Sequence, residues 1–392
     1  MPISSPPATP LKIMCCVGTR PEVIKMAPII RRLKAAAWAN CVVVTTAQHR
    51  DLLDQTLAFF DLRPDVDLNL MTPAQTLAEL SAQMLTSLDR VLGDVQPDLV
   101  LAQGDTTTVL MTALAAFYRR IPFGHVEAGL RSGSLREPFP EEGNRTLAGR
   151  LAQWHFAPTE AARNNLLKEG FSAADIFVVG NTVIDALLES QGRAVLPWAG
   201  LRPDQRMILV TAHRRESFGE PMREICRAVK AICEKHPDVV VLWPVHPNPA
   251  AHDLIYQELS AVPAVRLTAP LDYGHLVGAL RQACLVMTDS GGIQEEAPAF
   301  HKPVLVLRDR TERQEVIDAG VARLVRVNAV NIARECGNLL SDPALYARMA
   351  QGANPYGQGD AAEKIVRHIE NFSSNRAFPS RPDAGTSSGT QM

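Results

Sequence analysis

Two hydrophobic patterns alternate along the chain. Short β-rich runs, most of them continuously apolar, are LKIMCCVGT, CVVVTTA, VDLNL, PDLVLAQG, PFGHVEA, WHFAPT and IFVVG. Each is followed by a stretch whose apolar residues recur at helical spacing, such as PEVIKMAPIIRRLKAA or TTTVLMTALAAFYRR. Strands without polar alternation are covered on both faces, so the pattern predicts a parallel sheet with helices on each side. After NTVIDALLESQGRAVLPWAGLRPDQR it starts again with MILVTA, VVVLWPVH, VRLTAP, CLVMTDS, PVLVLRD and ARLVRV. The expected fold class is therefore α/β, with two doubly wound units over residues 11–190 and 205–360 and a junction where Gly and Pro cluster. Such sheets bind ligands at the carboxyl ends of their strands, and two facing units enclose a cleft between those edges. Functional residues are expected directly after strands.

Composition narrows this picture without changing it. A chain of 392 residues is too long for one core and fits two domains or three. Its 40 basic and 42 acidic side chains give a formal charge of −2, which points to neither nucleic acid nor an anionic membrane surface. Any bound anion must be gripped locally. The seven cysteines are odd in number and mostly sit in apolar runs, with no CxxC pair and no His at metal-ligand spacing. That pattern predicts reduced thiols in a cytoplasmic protein and no metal site. The start, MPISSPPATP, lacks the apolar core of a signal peptide, and no run reaches the length of a membrane span. Residues 374–392 are rich in Ser, Pro and Gly and are expected to be a disordered tail.

The charged residues gather where the strands end. In VGTRPEVIKMAP the Gly turn and Arg20 either bind a phosphate at a helix start or simply turn the chain. Asp105 in LAQGDTTTVL follows one strand and is either a helix cap or a site acid; Glu127 in HVEAG does the same one strand later. In PFPEEGNR, Glu141 opens a helix and is expected to pair with Arg145 at i,i+4 spacing. TAHRRESFG places His213 beside Arg214 and Arg215, a grouping suited to an anion, and WPVHPNP offers His246 or a rigid turn. DSGGIQEEAP combines the small-residue turn Ser290, Gly291 and Gly292 with Glu296, which is placed to accept from ribose hydroxyls. RDRTERQE then supplies Arg308, Arg310 and Arg313. Acids in one half and phosphate-binding donors in the other match the needs of a nucleotide sugar.

The stretches GTRPEVIKMAP, QGDTTT, HVEAGLRSG, PFPEEGNR, GNTVIDAL, TAHRRESFG, DSGGIQEEAP and RDRTERQE occur in order over about residues 11–372. Together they resemble the non-hydrolysing UDP-N-acetylglucosamine 2-epimerases. The resemblance implies two Rossmann-like domains in the glycosyltransferase-B-like arrangement, a helix at about 361–373 crossing back to the first domain, and a homodimer. It implies reversible epimerisation at C2 by elimination of UDP to 2-acetamidoglucal and re-addition, with no cofactor. Catalytic roles fall on Asp105, Glu127 and Glu141, with Arg20, Lys25 and His213 beside them. UDP falls to Ser290, Gly291, Gly292, Glu296 and Arg313, with Arg20 and His213 shared. A second ligand site in some relatives maps to Gln48, Gln75 and His246, but Asp51 and Ala74 stand where those relatives carry Gln and Arg, which speaks against activation by substrate. The competing readings are an epimerase of a UDP-diacetamido-uronic acid, a hydrolysing epimerase, a glycosyltransferase of the same fold and a nucleotide-sugar sensor.

Overall fold

The computed structural model describes residues 10–46, 50–72, 75–198 and 200–374. All but the first residue of the expected tail lies outside them, as does Gln48. The apolar runs form two parallel sheets. The first contains β1 (Leu11–Val17), β2 (Ala39–Thr45), β3 (Val66–Asp67), β4 (Leu99–Gln103), β5 (Phe123–Val126), β6 (Trp154–Ala157) and β7 (Ile176–Val178). The second contains β8 (Arg206–Thr211), β9 (Val239–Pro244), β10 (Val265–Thr268), β11 (Ala283–Thr288), β12 (Val304–Val306) and β13 (Ala322–Leu324). Their orders are 3-2-1-4-5-6-7 and 10-9-8-11-12-13, the same doubly wound topology used twice.

Burial explains why these strands were readable. Ile13 to Val17 of β1 and all of β4 are buried, because β1 and β4 are central and helices cover both faces. VDLNL is the exception: only Val66 and Asp67 pair with β2, since an edge strand has one neighbour to hold it. Each fully buried Leu, Ile or Val contributes about 1.5–3 kcal/mol of apolar transfer, so the central strands anchor each half.

In each sheet the strand order reverses between two neighbours, β1 and β4 in the first and β8 and β11 in the second. Chain leaving these four strands diverges to opposite faces and opens a crevice at the carboxyl edge. The last helix, Ala361–Ser374, returns to the first half and packs on helices Arg20–Ala35 and Thr182–Glu189. Its first turn is held by Asp185, whose buried carboxylate accepts from the backbone N–H groups of Ala361 at 3.2 Å and Ala362 at 2.9 Å. Trp154 meets His368 and Phe372 from that helix edge-on or tilted, at 5.5 and 4.6 Å between centroids. Among the described residues no helix is long and apolar enough to cross a membrane.

Candidate active site

The two crevices face each other across a cavity of about 610 Å³. Its first wall carries Arg20, Lys25, Asp105 and Glu127; its second carries His213, His246, Ser290, Gly291, Gly292, Glu296 and Arg313. Residues from the loops after β1, β4, β8 and β11, the four strands at the order reversals, therefore share one space.

Glu127 directly follows β5 and has φ of +62°. A non-glycine residue held there costs on the order of 1–3 kcal/mol and persists only where its surroundings impose it. The surroundings are visible: Lys25 Nζ donates to both carboxylate oxygens at 2.9 and 2.7 Å, and Gln103 Nε2 donates at 2.5 Å. Burial pushes the Glu127 carboxyl above the usual carboxylate range, opposed by Lys25 and reinforced by Glu295. Burial works to lower the pKa of Lys25, but Glu127 and Glu295 outweigh it and keep the ammonium charged.

Asp105 is fixed from two sides. Its carboxylate pairs with Arg145 and its carbonyl accepts from Asn144 Nδ2 at 3.0 Å, both from helix Glu141–Leu151. The turn that presents it is set by β5: Gly104 has φ of +89°, donates to the Val126 carbonyl at 3.0 Å, and its own carbonyl meets the buried His125 ring at 2.7 Å. Burial lowers the pKa of His125 to about 4, so the ring is neutral and supports the turn. A strand that ends in His and Glu thus serves its neighbour with one side chain and the cavity with the other.

Glu22 also lines the cavity. It accepts from Gly18 N–H at 2.5 Å, Thr19 N–H at 3.1 Å and Thr106 Oγ1 at 2.5 Å. Burial pushes its carboxyl up to about 7 despite those donors. Glu141 is placed differently from expectation. It is half-buried at a helix start and is not among the residues lining the cavity. The expected Glu141–Arg145 pair is replaced by Arg145 pairing with Asp105 and, at 3.3 Å, with Glu142. Glu142 is the buried acid of the two, and its Oε1 also accepts from Ser132 N–H at 3.0 Å. The helix turns its second glutamate, not its first, toward the guanidinium.

On the opposite wall, Ser290 precedes helix Gly291–Glu296. A Cβ on Gly291 would stand 2.8 Å from the Arg313 guanidinium, so glycine lets that guanidinium approach the helix start, and any larger residue would displace it. Gly292 faces open space. Glu296 is buried with one oxygen unpartnered, and burial, then Glu295, push its carboxyl up to about 7. Asp289 was not singled out from sequence, yet it organises the loop after β8: buried, it accepts from His213 N–H at 2.9 Å, Arg214 N–H at 3.0 Å and Ser217 Oγ at 2.8 Å. His213 and His246 stack with centroids 6.0 Å apart. Arg20 reaches across the cleft to the Leu271 carbonyl at 3.3 Å. Gln75 donates to Gln83 at 2.8 Å and is not among the cavity residues. Of the grouping expected for a second site, His246 is the member that lines the cavity, and Gln48 lies outside the described residues.

A family model described as UDP-N-acetylglucosamine 2-epimerase matches residues 31–370. The chain belongs to the UDP-N-acetylglucosamine 2-epimerase family. It is 48% identical over 373 residues to the UDP-N-acetylglucosamine 2-epimerase of Escherichia coli K12, covering 92% of this chain and 99% of that one. The Bacillus subtilis enzyme of the same name is 46% identical over 363 residues, covering 92% and 95%. Among solved structures, the Neisseria meningitidis UDP-GlcNAc 2-epimerase bound to UDP-GlcNAc superposes with a TM-score of 0.86 at 43% identity, covering 92% of this chain and 100% of that one. An S. aureus protein solved with UDP gives 0.85 at 43% identity, covering 93% and 97%. Membership makes this protein an isomerase that interconverts UDP-GlcNAc and its C2 epimer, UDP-ManNAc.

Proposed function

We propose that the epimerisation runs by elimination and re-addition in the cavity between the sheets, with Asp105 and Glu127 as its acid/base pair. The C2 proton of the sugar is not acidified by an adjacent carbonyl, so its removal must be coupled to another bond change. A base takes that proton, the C1–C2 double bond forms, and the C1–O bond breaks with its electrons leaving on the diphosphate of UDP. In the return step a proton reaches the other face of C2 and the diphosphate oxygen re-forms the bond to C1. This requires two proton-transfer groups and fixed cations for the leaving group. Asp105 and Glu127 on one wall supply the first, and Arg313, Arg20 and His213 supply the second. The observation that carries this reading is the sharing of one cavity by Asp105, Glu127, Ser290, Glu296 and Arg313.

UDP rests on the second wall, its diphosphate at Ser290, Gly291 and Gly292 and its ribose on the unpartnered oxygen of Glu296. Glu141 joins the reacting groups when the halves close over the sugar, a motion that also keeps the glucal from escaping. The acid/base domain spans residues 11–190 with helix Ala361–Ser374, and the UDP domain spans 205–360. The protein works as a homodimer in the cytoplasm. Phe117 (57% exposed), Tyr118 and Leu147 on two packed helices offer an apolar face to a second copy, and the seven unpaired cysteines suit a reducing compartment.

Incubation with UDP-GlcNAc in D₂O, followed by NMR at C2, tests the chemistry. Deuterium is expected in both epimers with little free UDP. Stoichiometric UDP release would refute the re-addition, and inversion without exchange would refute the elimination.

A further inference from the structure

The charged groups of the two walls are joined behind the cavity by one carboxylate. Glu295, in helix Gly291–Glu296, is 1% exposed and is not among the lining residues. Its Oε2 lies 3.3 Å from the Lys25 ammonium of the first half and accepts from Asn181 Nδ2 at 3.3 Å. Its Oε1 accepts from Arg313 Nε at 2.9 Å. Lys25 in turn holds Glu127 at 2.7 Å, and the Arg313 guanidinium lies against Gly291. Glu127, Lys25, Glu295 and Arg313 therefore form a series of alternating sign that runs from the edge of one sheet to the edge of the other, buried at Lys25 and Glu295 and facing the cavity at its two ends. Burying Lys25 and Glu295 carries a large desolvation cost, which a merely cementing contact would avoid with apolar side chains.

We propose that Glu295 is a positioning residue for the epimerisation: its two carboxylate oxygens hold Lys25 against Glu127 and Arg313 over Gly291, tying the acid/base wall to the nucleotide wall. The inference rests on the reading that Glu127 transfers a proton. It has a directional consequence. Glu295 places a like charge near Glu127 and shares the Lys25 ammonium that would otherwise stabilise Glu127 alone, so both effects favour protonated Glu127. A diphosphate that draws Arg313 toward itself leaves Glu295 less compensated and more reliant on Lys25. Glu127 then becomes the stronger base when the nucleotide is bound.

The test is the pH profile of kcat/KM for Glu295→Gln, with Glu295→Asp as the variant that keeps the charge and far-ultraviolet circular dichroism as the check on folding. The limb set by Glu127 is the one displaced by Glu127→Asp. In Glu295→Gln it is expected to move to lower pH by about one unit or more, and in Glu295→Asp to stay in place while kcat falls. A limb unmoved in the Gln variant, or moved as far in the Asp variant, overturns the proposal. If the Gln variant does not fold, Arg313→Gln takes its place. That change leaves Glu295 reliant on Lys25 and must move the limb to higher pH; a stationary limb overturns the proposal equally. The underlying reading fails separately, if Glu127→Gln keeps wild-type turnover. An inactive Glu127→Gln with an unmoved Glu295→Gln limb removes only the role of Glu295.

Discussion

The two walls of the cleft come from the same topology and meet the ligand at the same point of the fold, yet they are built from different materials. The first wall is made of buried carboxyls: Glu22, pushed up to about 7, and Glu127, raised by burial and held in a left-handed backbone conformation. The second has one such carboxyl, Glu296, and is otherwise made of backbone, glycines, histidines and a guanidinium, with Arg313 kept charged by Glu295 and Glu312 against the pull of burial. A proton-transfer group has to change charge during turnover, so its surroundings must leave both forms accessible. The diphosphate only gains negative charge as the C1–O bond breaks, so its site needs donors already fixed in place to receive it. The same crevice, used twice, serves both demands because the loops after the switch strands differ, not the scaffold.

If this division is right, changes on the first wall should strike rate and spare affinity. Asp105→Asn and Glu127→Gln are each expected to lower kcat by about 10² to 10⁴ while UDP affinity by calorimetry stays within about threefold. Loss of UDP binding in either variant would erase the distinction between the walls.

A milder and opposite pattern is expected on the second wall. Gly291→Ala puts a Cβ 2.8 Å from the Arg313 guanidinium, and Arg313 must shift to accept it. UDP binding should weaken about tenfold, or ~1.4 kcal/mol, with the melting temperature little changed. Unchanged UDP affinity would take Arg313 out of the nucleotide site.

The smallest effect sharpens the comparison through stability. Glu22 titrates near 7 when folded against 4.5 when free, so the favourable contribution of its protonated form is complete below about 4.5 and is lost as pH rises through about 7. The apo protein's melting temperature should therefore fall between pH 5 and 8 by more than in Glu22→Gln, where this ionisation is absent. Scanning calorimetry at both pH values measures it, and parallel curves would show that Glu22 is not held neutral by burial.

Much of this was legible in the chain because the signals are local. A parallel strand buried on both faces must be apolar, so all thirteen strands stood out, although those near the sheet edges, β3, β7, β12 and β13, are only two or three residues long and shorter than their runs. Turns at carboxyl edges require small or polar residues, which is why Arg20, Asp105, Glu127, His213, Ser290 and Arg313 were visible as candidates that converge on one cavity. Glu295 was hidden beside Glu296. Both glutamates suit the same short helix, and nothing in a run of two acids says which one turns inward to a lysine 270 residues earlier in the chain. Arg145 had the same ambiguity: i,i+4 spacing favoured Glu141, but Asp105, 40 residues away, takes the guanidinium together with Glu142.

Hydrophobic period and turn chemistry are set by a residue and its near neighbours, so they pass directly from the chain into strands, helices and the edges where ligands bind. Ion partners are different. Which charges are buried, which pair and which face the sugar depend on how two sheets, separated by a long stretch of chain, set their edges against each other. A charge gains or loses by that packing far more than by anything adjacent to it in the chain.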